Sequence, residues 1–129
     1  MASAQRSPLR ILVTLLGVFF VLQGIAWLVD PARAAAGLGM PLLDGLARST
    51  QIGDLAAFFL TGGMTIIVGA RPGRARLLLV PAGMLGAAAV VRALAWALHG
   101  AEFAAAFIAI EVAVAALLLV AVRRLDAER

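Results

Sequence analysis

The sequence predicts an all-α membrane protein: one four-helix transmembrane bundle over residues 1–129, with both termini in the cytoplasm. Of the 129 residues, 64% are hydrophobic and 14% are charged, and the mean hydropathy is +1.04. A soluble domain of this length could not bury so much apolar surface. A membrane-spanning helix needs roughly 20 apolar residues. Four segments qualify, at about 9–29, 50–70, 77–98 and 103–122.

The arginines predict the orientation. Four spans place both termini and the 71–76 loop on one side of the membrane, and that side holds most of the basic residues. The opposite side holds only Arg33 and Arg48. Because basic loop residues stay in the cytoplasm, we expect cytoplasmic termini. The basic residues assigned to the cytoplasmic side are Arg6, Arg10, Arg71, Arg74, Arg76, Arg123, Arg124 and Arg129.

The sequence also indicates the kind of organism that the protein comes from and whether its first span is retained. All basic residues are arginine, and Ala, Gly and Leu are abundant, which is typical of a high-GC bacterial genome. We therefore expect a multi-pass protein of the bacterial inner membrane, in contact with the lipid bilayer. The first span resembles a signal peptide in having Arg6 and Arg10 before it and Ala34 to Ala36 after it. Its apolar run is longer than a usual signal core, so a retained helix is favoured over a cleaved one.

The outer loop, residues 30–49, begins with a helix signal. Asp30 is suited to cap a helix N-terminus and Pro31 to occupy its first turn. Gly37 and Gly39 predict the end of this short helix. Pro41 to Arg48 is suited to a second, amphipathic turn on the outer membrane surface or to a simple linker along that surface, and a cap of the second span follows. That turn would direct Leu42, Leu43 and Leu46 inward, and the cap would be Ser49 or Thr50.

Polar residues inside the spans are the best candidates for a site. Gln23, Asp54, Arg92 and Glu111 each lie about 6 to 14 Å from the outer end of their predicted span, at about 1.5 Å per residue. Charges at this depth are costly unless they are paired or hydrated. We therefore expect Asp54, Arg92 and Glu111 to face one another in the periplasmic half.

Helical spacing adds aromatic neighbours to these polar residues. Positions four and seven residues apart share one helix face, which predicts a cavity with a polar floor and aromatic walls, open to the periplasm. The candidate ligand-binding residues are Gln23, Trp27, Asp54, Phe58, Arg92, Trp96, His99 and Glu111. No catalytic residue and no metal ligand is assigned.

Two interpretations of the charged residues stay open. Arg92 has a purely structural explanation if it bridges Asp54 and Glu111 and fixes the helix register. A functional interpretation is favoured by charge counting, because one arginine cannot neutralise two carboxylates. The second acid would then be balanced by a proton, a water molecule, His99 or a ligand.

Composition excludes several classes of function. The chain has no cysteine, which rules out disulfides and thiolate metal sites. A single histidine rules out a bis-histidine haem within one chain. The net charge of +4 is explained by arginines at helix ends, so we expect no nucleic-acid partner. The cofactor is left unassigned.

Small residues predict close helix packing. Gly62, Gly63 and Gly69 lie in the second span, and Gly83 and Gly86 in the third. Such residues let membrane helices approach closely. The same faces are suited to a homo-oligomer or to docking in a larger membrane complex.

These features carry a family resemblance. Four short spans, Gly-Leu-Gly-Met-Pro at Gly37 to Pro41, Gly62-Gly63, Arg92 and Glu111 resemble the DoxX-like bacterial membrane proteins over roughly residues 9–122. In that wider group some members are linked to quinone-dependent oxidation. The resemblance implies a small four-helix inner-membrane protein with a quinone-related partner.

Three functional hypotheses follow. The first is a non-catalytic module that binds a lipid- or quinone-type molecule, or an accessory subunit of a membrane complex. The second is an intramembrane enzyme that uses Glu111 or Asp54 as acid or base and Arg92 to stabilise an anion. The third is a small proton-coupled transporter. A cavity closed at its cytoplasmic end favours binding, whereas a continuous wet path favours transport.

Overall fold

The computed structural model describes residues 7–128, which form long helices joined by short turns. The four longest helical segments are long and apolar enough to cross a membrane, which confirms the predicted all-α class and the presence of four such helices. The elements are α1 (Pro8–Val29), α2 (Pro31–Gly37), α3 (Gly45–Gly69), a 3₁₀ turn (Ala75–Leu78), α4 (Leu79–His99) and α5 (Ala105–Asp126).

The short helix α2 confirms the start and stop signals in the outer loop. The carboxylate of Asp30 accepts a hydrogen bond from the backbone N–H of Arg33 at 3.2 Å, and Pro31 occupies the first turn. The helix ends at Gly37, and Gly39 has a φ of 75°. A positive φ is readily adopted only by glycine, so Gly39 lets the chain turn back toward α3.

The start of α3 corrects the prediction for residues 41–50. The helix begins at Gly45, five residues before the predicted start, and its N-cap residue is Asp44 rather than Ser49 or Thr50. Leu46 is 84% exposed, and Leu43 is also exposed. The amphipathic turn is wrong and the linker fits residues 41–44, which are non-helical and are held by side-chain bonds from α3.

The helices pack as two pairs, α1 with α3 and α4 with α5. The first pair crosses at Gly17 and Gly63, where a Cβ on Gly63 would lie 2.7 Å from the carbonyl oxygen of Gly17 and 2.7 Å from the backbone nitrogen of Val21. By contrast, a Cβ on Gly83 or Gly86 would meet nothing within 4 Å. Close glycine packing therefore joins α1 to α3, while the glycines of α4 remain open.

The buried apolar residues form two clusters, one toward each end of the bundle. We call the end that holds the 3₁₀ turn the inner end, and the end that holds α2 the outer end. In the inner half, Val13, Ile66, Leu78 and Leu118 are fully buried in one cluster to which all four long helices contribute. In the outer half, the buried cluster around Trp27 comes from α1, α2, α3 and the loop after α2. The two helix pairs are therefore tightly joined toward the inner end.

Candidate functional site

A cavity of about 420 Å³ lies between the two helix pairs in the outer half of the bundle. Every long helix contributes to its wall, and the end of α2 and the residue after it contribute from the outer side. The lining is mostly apolar, with three polar side chains among it. The lining residues are Phe19, Phe20, Gln23, Gly37, Leu38, Leu55, Phe58, Phe59, Leu85, Ala88, Arg92, Phe107, Ile110 and Glu111.

An ion pair between α4 and α5 forms the charged part of the wall. Nε of Arg92 donates a hydrogen bond to Oε1 of Glu111 at 2.7 Å. The guanidinium carbon of Arg92 lies 4.8 Å from the centroid of the Phe107 ring, a cation–π contact that helps to hold the arginine in place. Glu111 is only 9% exposed. Its second oxygen, Oε2, is buried and has no hydrogen-bond partner among the described residues.

Gln23 provides a third polar group at the same depth. It lies six residues from the outer end of α1, Arg92 seven from the outer end of α4, and Glu111 six from the start of α5. At about 1.5 Å per residue, all three lie about 9 to 11 Å below the helix ends. Within residues 7–128, the side chain of Gln23 forms no hydrogen bond. A polar belt with unused hydrogen-bonding capacity therefore rings part of the cavity.

Aromatic rings form most of the apolar wall. The chain has six phenylalanines, and five of them line the cavity. The ring centroids of Phe20 and Phe59 are 5.6 Å apart and those of Phe58 and Phe59 are 5.2 Å apart, both in edge-to-face geometry. Such pairs favour fixed ring positions. The cavity wall is therefore largely aromatic and suited to an apolar ring or chain.

Four of the eight candidate residues line this cavity: Gln23, Phe58, Arg92 and Glu111. The other four lie elsewhere. Trp27 is buried in the cluster behind the cavity wall, where Leu38, Leu55 and Phe59 pack against it. Trp96 is exposed on the surface of the bundle, and the centroid of its ring lies 5.2 Å from that of Phe103. His99 is exposed as the last residue of α4.

Asp54 corrects the expectation that three charges face one another. Its side chain is exposed, it does not line the cavity, and in the described part of the chain it forms no ion pair. The reason is the rotation of α3, which turns Gln51, Leu55 and Phe59 inward and Asp54 outward. The sequence gives depth along a helix more securely than rotation about it. Within the cavity, one cation therefore faces one anion.

Gln51 is a positioning residue that the sequence analysis missed. Its side chain is buried; Oε1 accepts a hydrogen bond from the backbone N–H of Leu43 at 2.9 Å, and Nε2 donates to the carbonyl of Pro41 at 3.0 Å. These bonds hold the loop that follows Leu38, a residue of the cavity wall. A glutamine beside Ser and Thr near a predicted helix start is indistinguishable in sequence from a membrane-interface residue.

A second polar cluster closes the inner end. The guanidinium of Arg10 is buried and donates to the carbonyl of Ala70 and, at 3.0 Å, to Oε2 of Glu128. Arg76 pairs with Asp126 at 3.4 Å. A cation at the last carbonyls of α3 is favourable because those groups carry partial negative charge. In the sequence, Arg10 and Arg76 were recognised only as orientation signals, because their partners lie far away along the chain.

The fold and this cavity define a multi-pass membrane protein with an aromatic cavity and an ion pair between two of its long apolar helices. Comparison of the chain with protein-family models, curated proteins and solved structures finds no match. The resemblance to DoxX-like proteins therefore stays a prediction. Within residues 7–128, no group of three or more His, Asp or Glu side chains is placed to hold a metal ion.

Proposed function

We propose that the protein is a non-catalytic binding module of a bacterial inner membrane, and that the cavity takes a lipophilic small molecule of the lipid or quinone type. The observation that carries this proposal is the combination of five phenylalanine rings with Gln23, Arg92 and Glu111 in one cavity. Small-molecule sites are typically apolar with a few convergent polar groups. The rings suit the apolar part of such a molecule and the polar belt suits its head.

The size of the cavity supports a small ligand. A volume of about 420 Å³ falls within the range of about 300 to 1,000 Å³ that is common for ligand sites. The unpartnered Oε2 of Glu111 gives a second reason, because a buried polar atom without a partner costs free energy. A head group that contacts this carboxylate would relieve that cost.

The packing of the inner half favours binding over transport. Below the cavity, Val13, Ile66, Leu78 and Leu118 are fully buried in an apolar cluster to which all the long helices contribute. A transporter needs polar groups along its whole path, whereas the polar belt lies only in the outer half. The enzyme hypothesis has support only from the chemistry of the Arg92–Glu111 pair.

The arginine distribution supports an orientation with the inner end in the cytoplasm and the cavity in the periplasmic half. Under the same proposal, the open side of α4 at Gly83 and Gly86 supports an accessory role in a larger membrane complex or a homo-oligomer. Small exposed residues are typical of helix-packing faces in membranes. In either case the cavity would remain the ligand site.

Native mass spectrometry of the gently extracted protein tests this function. The informative variant is Ala88→Phe, because Ala88 lines the cavity and a phenyl ring there would take up space that a ligand needs. Ala87→Phe is the matched control, since Ala87 is exposed and lies outside the cavity. We expect the wild type and Ala87→Phe to retain a lipophilic molecule and Ala88→Phe to lose it. Retention of the same molecule by all three proteins, or by none, would contradict the proposal.

A further inference from the structure

The cavity reaches the surface of the bundle on one side. Phe19 of α1 and Ile110 of α5 both line the cavity, yet they are 53% and 60% exposed. On the opposite side, between α3 and α4, the lining residues Phe58 and Ala88 are only partly exposed. The gap between α1 and α5 is therefore a lateral opening, flanked by Phe19 and Ile110.

The lateral opening lies at the depth of the lipid chains. Phe19 is ten residues from the outer end of α1 and Ile110 is five residues from the start of α5, which places them about 15 Å and about 8 Å below the helix ends. The hydrocarbon core of a bilayer is about 30 Å thick. The opening therefore faces acyl chains, and only an apolar group would rest in it favourably.

The route from the aqueous side is partly covered by a fixed segment. Leu38 lines the cavity and packs in the buried cluster around Trp27. The following residues are held by Gln51 through its bonds to Pro41 and Leu43. On this side the exposed lining residue is Gly37. A ligand could therefore reach the cavity past Gly37 instead of through the lateral opening, and the two routes need separate tests.

The polar belt selects for an uncharged head group. Among the described lining residues, the charged side chains are Arg92 and Glu111, which pair with each other. A net anion or cation would lose its hydration there without a counter-charge of its own, which is costly. The remaining capacity is the amide of Gln23, Oε2 of Glu111 and the Nη groups of Arg92, which bonds to Glu111 through Nε. A hydroxyl group, which both donates and accepts, satisfies these partners.

We propose that the ligand is an uncharged amphiphile of the bilayer, with a hydroxyl head and an apolar chain, that enters sideways between Phe19 and Ile110. Its head contacts Gln23 and Glu111, and its chain lies in the lateral opening. This inference rests on the proposed binding function and adds the class of ligand and its route.

Trp27 provides a built-in reporter for the test. It is buried directly behind the cavity wall, whereas Trp96, the other tryptophan, lies on the outer surface. A Trp96→Phe background leaves Trp27 as the only fluorophore of its kind. The probe is a monoacylglycerol with a dibrominated chain, added to vesicles that contain the protein, because bromine quenches tryptophan at short range. The same chain on a monoacylglycerol phosphate is the anionic control, and Ala88→Phe defines the quenching that remains when the cavity is narrowed.

A reversible block tests the route. The chain has no cysteine, so Ile110→Cys introduces a single thiol in the lateral opening, which a bulky thiosulfonate reagent modifies and a reductant restores. Val112→Cys is the matched control, because Val112 is exposed on the same helix but does not line the cavity. Both modified variants are compared with their reduced forms.

We expect the monoacylglycerol to quench Trp27 more in the Trp96→Phe parent than in its Ala88→Phe variant. The monoacylglycerol phosphate should bind about tenfold more weakly than the monoacylglycerol. The modified Ile110→Cys protein should be quenched severalfold more slowly and recover on reduction, while modified Val112→Cys matches the parent. Unchanged quenching by the blocked Ile110→Cys protein would overturn lateral entry, and equal binding of the phosphate would overturn the uncharged head. If neither probe distinguishes the parent from Ala88→Phe, the binding function itself fails.

Discussion

Each half of the bundle has an arginine that bonds to a neighbouring helix, but the two arginines are used differently. The side chain of Arg10, at the inner end, is 6% exposed and reaches a helix-terminal carbonyl and Glu128. The side chain of Arg92, in the outer half, is 37% exposed and is bonded to Glu111 alone among the described side chains. Arg10 is enclosed by packing, whereas Arg92 lies at the edge of a cavity.

This difference indicates how one small bundle separates stability from binding. The inner half buries its apolar residues in a shared core and uses its charges to tie the ends of three helices together. The outer half leaves space between the helix pairs and keeps polar groups with unused bonding capacity. Substitutions in the two regions should therefore have different consequences.

The largest effect is expected where the helices are closest. Gly63→Ala would place a methyl group 2.7 Å from backbone atoms of α1, and backbone cannot move aside cheaply. We expect the free energy of unfolding to fall by about 3 kcal/mol. Detergent titration in mixed micelles, followed by tryptophan fluorescence, measures it. Gly86→Ala is the control because its new methyl group meets nothing within 4 Å; equal losses in the two variants would disprove the close crossing.

Removal of the enclosed arginine should have the next largest effect. Arg10→Leu leaves the carbonyl of Ala70 without this donor and Glu128 without this cation. We expect a loss of about 2 kcal/mol in the free energy of unfolding, mainly because the carbonyl of Ala70 loses a buried donor. The lost ion pair adds little, because the carboxylate of Glu128 is partly exposed and stays hydrated. Glu128→Gln should cost less, since Arg10 keeps the carbonyl. A greater loss for Glu128→Gln than for Arg10→Leu would contradict the bracing role of the carbonyl contact.

The cavity pair should be less important for stability. Arg92→Leu leaves Glu111 buried without its cation, and we expect a loss of about 1 to 2 kcal/mol in the free energy of unfolding. Arg92→Leu combined with Glu111→Leu should recover most of that loss, as a double-mutant cycle would show. Adding Asp54→Asn should change nothing further, because Asp54 is outside the cavity. Equal instability of the single and double variants would argue against mutual neutralisation.

The smallest effect on stability is expected from single cysteines that report the orientation. Leu46→Cys lies at the outer end and Arg74→Cys at the inner end, both at exposed positions. In intact cells, a membrane-impermeant maleimide should label Leu46→Cys and should label Arg74→Cys only after lysis. The opposite labelling pattern would reverse the orientation inferred from the arginines.

The sequence was sufficient for the four long apolar helices and for the approximate distance of Gln23, Arg92 and Glu111 from the helix ends, because apolar length and residue counting carry that information. It was not sufficient for Asp54, because depth along α3 does not determine which face of the helix turns inward. The glycine pattern indicated close packing in α3 but did not distinguish it from the open face of α4. That distinction depends on which helix is the neighbour, and only the pairing of α1 with α3 resolves it.

The polar contacts of Gln51 and Arg10 could not be predicted either. Each side chain bonds to backbone groups that are brought together by the fold, eight to sixty residues away along the chain. Side-chain pairs such as Arg92 and Glu111 are easier to infer, because opposite charges at the same depth in a membrane avoid a large desolvation cost by pairing.

The most direct test of the central claim compares stability with bound-molecule content in one variant. Arg92→Leu combined with Glu111→Leu should be more stable than Arg92→Leu alone, because no buried charge is left unpaired. The double variant nevertheless lacks the two charged side chains of the polar belt that we propose binds the head group. Native mass spectrometry of this protein beside the wild type measures what is retained. We expect a stable, folded protein without the lipophilic molecule found in the wild type. A stable double variant that retains that molecule in full would show that the pair is structural and that ligand recognition lies elsewhere.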